Sequence, residues 1–184
     1  MRVIAGQCKG RVLFGPKGKS IRPTSDRTKE FIFNYIGDTV LNVTLLDLFA
    51  GTGNISIEAL SRGAQSATLV DNSHQAIKLI HKNIDLLNYS SKCSIIRKES
   101  LSFLKFTESR KYIFGLIFAD PPYSDTIYQK IMESIDKSDV LKIGGLFILE
   151  HSSTNMINLK LRNLLLNKSK KMGNSTITIY EKVG

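Results

Sequence analysis

Apolar and polar positions alternate along this chain at two different periods, and the change of period divides it. Over Arg2 to Gly6 and Arg11 to Phe14 the alternation has period 2, interrupted by Cys8-Lys9-Gly10, which predicts a β-hairpin with a glycine-containing turn. A turn-rich basic loop, Gly15-Pro16-Lys17-Gly18-Lys19-Ser20, comes next. Pro23 and a hydroxyl or Asp26 then announce a helix with Phe31, Ile32, Tyr35 and Ile36 on its apolar face and Gly37 as its stop. From Val43 onward the pattern becomes strand, loop, helix, repeated. TLLDLF precedes a helix from about Ile55 to Ser61, ATLVD one from His74 to Leu87, CSIIR one from Leu101 to Phe106, and IFGLIFA one from Ile127 to Ile135; LFILE closes the series. Five apolar strands separated by helical stretches predict a parallel sheet covered on both faces, a doubly wound α/β domain. The tail, LLLNKSKKM and STITIYE around Gly173-Asn174, predicts an antiparallel hairpin on the sheet edge. The expected organisation is an extension over 1–40 and an α/β domain over 41–184.

With 184 residues, 42% of them hydrophobic, the chain suits one globular domain with a sizeable core, which excludes a wholly disordered protein. No apolar run approaches the roughly 18 residues of a membrane-spanning helix, and the N-terminus lacks a signal-peptide stretch, so a cytoplasmic, membrane-free protein is expected. Cys8 and Cys93 lie far apart without a CxxC pair, and His74, His81 and His151 lack a third ligand at suitable spacing, so no metal is expected. The formal charge of +10 changes the picture more, because it is uneven. Residues 1–29 hold eight basic side chains against Asp26 alone, and residues 157–184 hold six against Glu181. Such clustering suits either a grip on a phosphate backbone or a solvated surface.

Chemistry is sought where parallel strands end, because an open α/β sheet binds ligands there. The first strand runs into Asp47-Leu48-Phe49-Ala50-Gly51-Thr52-Gly53-Asn54, where the glycines permit a tight turn close to a ligand. Position 56, which a dinucleotide fingerprint would fill with a third glycine, is Ser56, so a nicotinamide reading is disfavoured. Asp47 precedes the loop, a place suited to a cationic amine. Asp71 closes the second strand twenty residues beyond Gly51, where an acid binds ribose hydroxyls or caps the helix starting near Ser73. Glu99 follows the third strand, either as an acceptor for an exocyclic adenine amine or as a surface acid. The fourth ends in Asp120-Pro121-Pro122-Tyr123. Two prolines remove backbone donors and leave carbonyls as acceptors, so Asp120 and the Pro121 carbonyl can hold the two hydrogens of a planar amine stacked on Tyr123.

These residues carry a resemblance. DLFAGTG, an acid ending the next strand, and DPPY resemble the class I S-adenosylmethionine-dependent methyltransferases that modify amino groups of bases, which have a Rossmann-like, mostly parallel seven-stranded sheet. More narrowly, MRVIAG, KGRVL, IRPTSDRTKE, DLFAGTGNISIEALSRGA, LIFADPPY and GGLFILEHS resemble the bacterial family that methylates a guanine exocyclic amine in small-subunit ribosomal RNA. The resemblance covers nearly the whole chain. It implies that Asp47, Gly51 and Gly53 bind the methionine part of S-adenosylmethionine, Asp71 the ribose and Glu99 the adenine, with Phe49 also at the cofactor. Asp120, Pro121, Pro122 and Tyr123 would hold the guanine amine, Asp120 also bordering the cofactor. Arg11, Lys17, Lys19, Arg22 and Arg27 would contact ribosomal RNA or the small subunit, and Glu150-His151-Ser152 would line a pocket. A monomer is expected. Asn54 departs from the small residue usual there, and Lys98-Glu99-Ser100 from a Gly-Asp-Ala-like turn. A DNA adenine-N6 methyltransferase, a protein glutamine methyltransferase and a non-catalytic RNA-binding module remain as alternatives.

Overall fold

The computed structural model describes residues 1–16, 24–122, 125–154 and 159–184, Asp125 by its backbone alone. In chain order the elements are α1 (Asp26–Ile36), β1 (Thr44–Leu48), α2 (Asn54–Ser61), β2 (Ser66–Asp71), α3 (His74–Leu86), β3 (Cys93–Arg97), α4 (Ser100–Arg110), β4 (Phe114–Ala119), α5 (Asp125–Lys137), β5 (Leu141–Ser152), β6 (Leu164–Met172) and β7 (Ser175–Lys182). They build a seven-stranded sheet in the order β3-β2-β1-β4-β5-β7-β6. The first five strands in sequence pair in parallel, and β7 pairs antiparallel with β5 and β6. The predicted doubly wound α/β class and the C-terminal hairpin are both observed.

Strand alternation sorts the apolar residues into two cores. Leu45, Leu116, Phe118, Leu146 and Ile148 pack with Ile32, Phe33 and Ile36 of α1, Ile57 of α2 and Ile80 and Ile84 of α3. Leu46, Leu48, Ile117, Phe147 and Leu149 face the other way, onto Phe103 and Leu104 of α4 and Ile131 and Ile135 of α5. Central strands buried on both faces read as continuous apolar runs, which is why β4 was legible as IFGLIFA. Among the described residues no helix is long and apolar enough to cross a membrane.

The chain departs from the predicted pattern at the N-terminus. The predicted hairpin is present only in short form: one antiparallel bridge, Arg2 with Val12, flanked by bonds from Val3 N to the Arg11 carbonyl at 2.9 Å and from Leu13 N to the Met1 carbonyl at 3.1 Å. The amides that would extend the ladder bond elsewhere: Ile4 N and Ala5 N donate to the Glu58 carboxylate at 2.8 and 3.0 Å, and Gln7 N to the Ser61 carbonyl at 2.8 Å. The extension is thus stitched to α2. Helix α1 begins after Ser25, whose hydroxyl accepts from Thr28 N, and ends at Gly37 as predicted, but its buried face is Thr28, Lys29, Ile32, Phe33 and Ile36. Tyr35, predicted on that face, is 39% exposed.

Two lysines counted above with the basic clusters are interior. Lys29 is wholly buried and Lys182 nearly so. The Lys182 ammonium donates to the carbonyls of Ile135, Asp136 and Ser138, satisfying the C-terminal end of α5.

Candidate active site

The chain runs from β1 to β2 to β3 in one direction across the sheet and then from β4 to β5 in the other, so the strand order reverses between β1 and β4. A ligand crevice forms at the carboxyl ends of the strands flanking such a reversal. A cavity of about 420 Å³ lies there, lined by Asp47, Phe49, Gly51, Asp71, Asp120, Pro121 and Pro122 among others. Its size falls in the usual range for small-molecule sites. Gly53, the last residue of the loop before α2, is buried and outside the lining.

The loop between β1 and α2 holds its shape through backbone torsions that side chains resist. Gly51 and Gly53 have φ of 57° and 75°, and Phe49, a bulky non-glycine residue, has φ of 63°. Such a φ is unfavourable for Phe and clusters at functional sites. A Cβ on Gly53 would sit 3.1 Å from Leu69 Cδ2, so a side chain there would have to push that methyl aside by a few tenths of an ångström in addition to adopting a positive φ. Asp71 fixes the loop from the side: Gly51 N donates to one carboxylate oxygen at 2.9 Å and Ser73 N to the other at 2.8 Å. Asp71 does not cap the next helix, because Ser73 does so through its own hydroxyl. From beneath, Asn83 of α3 donates to the Thr52 carbonyl at 3.0 Å and grips Phe14 through both N and O.

Asp47 lies at the cavity floor, 1% exposed, and receives the Ser56 hydroxyl at 2.6 Å. The serine that stands where a dinucleotide site would have glycine therefore supports a carboxylate. Burial pushes the Asp47 carboxyl up to about 7, the Ser56 hydrogen bonds oppose this, and the nearby Asp71 charge adds to it. A cationic amine placed there would favour the ionised form. Its binding is expected to weaken as pH falls below about 7, by up to about tenfold per unit, because a proton must then be released. Calorimetry across this range in buffers of different ionisation heat checks the proton count. Asp47→Asn should flatten the dependence. It should also stabilise the free protein at pH 8, since the cost of a raised carboxyl pKa is absent below the ordinary range and fully developed above pH 7.

The other candidates divide. Asp120 is half-buried directly after β4, Pro121 is buried and Pro122 exposed. Tyr123 lies outside the described residues, as do Lys17, Lys19 and Arg22. Arg11 and Arg27 are exposed, Arg27 on the turn of α1 that carries Thr28. Glu99 is not at the cavity. Its carboxylate caps α4, accepting from Leu101 N at 3.1 Å and Ser102 N at 2.6 Å, and these bonds hold it below the usual carboxylate range against the opposing effect of desolvation. The geometry therefore does not carry the adenine contact expected of Glu99. His151 turns from the cavity to Thr178 Oγ1 at 2.9 Å and the Ser152 carbonyl, and burial lowers its pKa.

Sequence reading missed part of the lining: Thr24, Ser25 and Thr28 from the start of α1, Asn54, and Met172 and Ser175 from the edge hairpin. Asn54 has a traceable role. Its carbonyl oxygen accepts from the Lys29 ammonium at 2.9 Å and its amide donates to the Thr24 carbonyl at 3.1 Å, tying α1 to the glycine loop. The signal was the asparagine that departs from the family pattern together with a lysine at helical spacing from Ile32 and Phe33.

The family model described as Conserved hypothetical protein 95 matches residues 1–181. The chain belongs to that family. Ribosomal RNA small subunit methyltransferase D of Haemophilus influenzae is 30% identical over 98% of this chain and 93% of its own. The Bacillus subtilis protein YlbH, provisionally named an rRNA methyltransferase, is 35% identical over the whole of both chains. Among solved structures, the provisionally assigned methyltransferase yhhF of Escherichia coli superposes with a TM-score of 0.89 at 28% identity, over 100% of this chain and 98% of that one. The family read from DLFAGTG and DPPY, and the Rossmann-like methyltransferase fold it implied, are borne out.

Proposed function

We propose that this protein transfers a methyl group from S-adenosylmethionine to the exocyclic N2 amine of a guanine in small-subunit ribosomal RNA. One observation carries the reading: Asp120 and Pro121, the acceptors for a planar amine, line the same cavity as Asp47, the glycine loop and Asp71. The names of the relatives supply the RNA as substrate class. The residues fit the cofactor by their chemistry. Asp47 offers a buried carboxylate to its ammonium, Asp71 a second carboxylate to its ribose diol, and the left-handed loop lets the backbone approach closely. When bound, S-adenosylmethionine supplies a methyl group on a positively charged sulfur, activated towards a nucleophile.

The protein's own task is to aim the amine. A guanine N2 lone pair is delocalised into the ring and is a poor nucleophile. Acceptors at Asp120 and the Pro121 carbonyl fix both hydrogens, so that the lone pair emerges as nitrogen becomes tetrahedral, and their attraction grows as positive charge develops there. Pro122 cannot continue a strand or helix at this point, which keeps the turn rigid. Tyr123 stacks the base in this reading. Tritium transfer from labelled cofactor to ribosomal RNA, small subunits, DNA and protein in parallel tests the proposal; label in DNA or protein and none in RNA would overturn it.

Basic side chains of the N-terminal cluster would hold the RNA backbone. Neutralising Lys17, Lys19 and Arg22 together is expected to weaken all RNAs about equally and to flatten the slope of log affinity against log salt by about 0.7 to 0.9 for each phosphate no longer neutralised. A parallel triple substitution of Lys168, Lys170 and Lys171 gives the comparison. These lie on the exposed edge strand β6, Lys170 is 4.7 Å above the Phe31 ring of α1, and β6 ends at the cavity in Met172. A parental slope in the first variant and a flattened one in the second would move the RNA grip to the C-terminal edge.

A further inference from the structure

Strand register places a further carboxylate in line with Asp47 and Asp120, two of the three that the cavity chemistry already uses. Asp47 of β1 pairs with Phe118 of β4, and Phe118 with Ile148 of β5. Side chains two apart on a strand share a face, so Asp47, Asp120 and Glu150 all point to the side of the sheet covered by α1, α2 and α3. The last β4–β5 pair is Ala119 with Leu149, and one residue further on Asp120 and Glu150 come side by side, separated by about one strand spacing, ~4.8 Å. Both line the cavity, and Glu150 is only 8% exposed. Asp120 stands between the other two, so the cavity has a β1 side, where Asp47 and the glycine loop suit the cofactor amine, and a β5 side bounded by Glu150, Ser175 and Met172.

The proposed function accounts for a base held at Asp120 and leaves the β5 side without a role. A guanine whose N2 amine is seated at Asp120 and Pro121 presents a further donor next to it on the same Watson–Crick edge, the N1–H. A carboxylate accepts such a donor and repels the bare N1 lone pair of an adenine-like edge. We infer that Glu150 accepts the guanine N1–H and makes the site selective for a base protonated at N1. The inference rests on the guanine-N2 reading and names the group that reads the rest of the edge. Sites that hydrogen-bond a substrate N–H discriminate strongly against analogues that lack it, because the protein group is left unpaired.

The test uses two short synthetic RNAs carrying, at the nucleotide the parent protein methylates, either guanine or 2,6-diaminopurine. Both have the 2-amino group; only guanine has N1–H. The parent is expected to methylate the guanine RNA at least about a hundredfold faster. Glu150→Gln, whose amide can donate to a bare N1 or accept from N1–H, is expected to bring the ratio within about tenfold, with cofactor affinity held within about twofold. Glu150→Ala serves as a second variant, and a cooperative unfolding transition shows that each is folded. Equal parental rates on the two RNAs overturn the inference without any substitution. So does a Glu150→Gln protein that keeps the parental ratio, and one that keeps it while losing cofactor affinity places Glu150 in the cofactor site instead. A parent that methylates neither RNA, with cofactor bound, removes the guanine-N2 reading itself, an outcome distinct from the other three.

Discussion

Asp120→Ala is expected to lower the rate of methyl transfer to ribosomal RNA by about a hundredfold or more, about 2.7 kcal/mol, while RNA and cofactor affinities change little. The reasoning is differential. On the proposed function, the guanine amine is planar and nearly neutral in the ground state, and one hydrogen bond from it to a carboxylate would add little to an RNA held mainly through phosphates. As N2 becomes tetrahedral it acquires positive charge, and a carboxylate fixed one residue beyond the fully buried strand β4 is already in place to stabilise it. A loss in turnover with unchanged binding identifies an interaction made mainly in the transition state. Asp120→Asn keeps an acceptor without its charge and should fall between parent and alanine. Single-turnover kinetics with saturating RNA separate these effects from product release. An Asp120→Ala protein as fast as the parent would remove the assigned mechanism.

The legible part of this site is the part whose chemistry is local in sequence. Glycines at a strand end, an acid twenty residues on and two prolines after a buried strand each owe their meaning to backbone conformation within a few residues, and the cavity gathers Asp47, Gly51, Asp71, Asp120 and Pro121 as that reading required. The strands were legible for the same reason, since burial on both faces leaves an uninterrupted apolar run. What could not be read depends on contacts across the fold. Glu99 is the exception, a strand-end acid whose carboxylate is taken locally, by the amides of Leu101 and Ser102 in the first turn of α4. The alternation in Arg2 to Gly6 looks like a full strand, but after Val3 the amides of Ile4 and Ala5 find Glu58, more than fifty residues away. The period of α1 allowed two faces, and the one centred on Lys29 is buried because its ammonium finds partners no local pattern reveals.

Those partners set the second large effect. The Lys29 ammonium, fully enclosed, donates to the Arg2 carbonyl at 2.6 Å, Asn54 Oδ1 at 2.9 Å and Glu58 at 3.2 Å. Glu58 in turn accepts from Ile4 N, Ala5 N and Arg62. Burial pulls the Lys29 pKa below its ordinary value, with Glu58 the largest opposing influence, so the carboxylate is what keeps a charge tolerable there. Removing one partner of a buried pair strands the other. Glu58→Leu is therefore expected to cost about 3–5 kcal/mol of unfolding free energy, read as a lower urea midpoint at unchanged slope. Adding Lys29→Met removes the stranded ammonium and should recover part of that loss, the remainder belonging to the two orphaned amides. The functional consequence follows from Asn54, which joins this cluster to Thr24 and lines the cavity. With the cluster broken, Arg2, Thr24 and the start of α1 lose their fixed position against the glycine loop, so RNA affinity should fall together with stability. A single-variant cost below about 1 kcal/mol would show that water reaches Lys29 and that the extension is held by its apolar contacts alone.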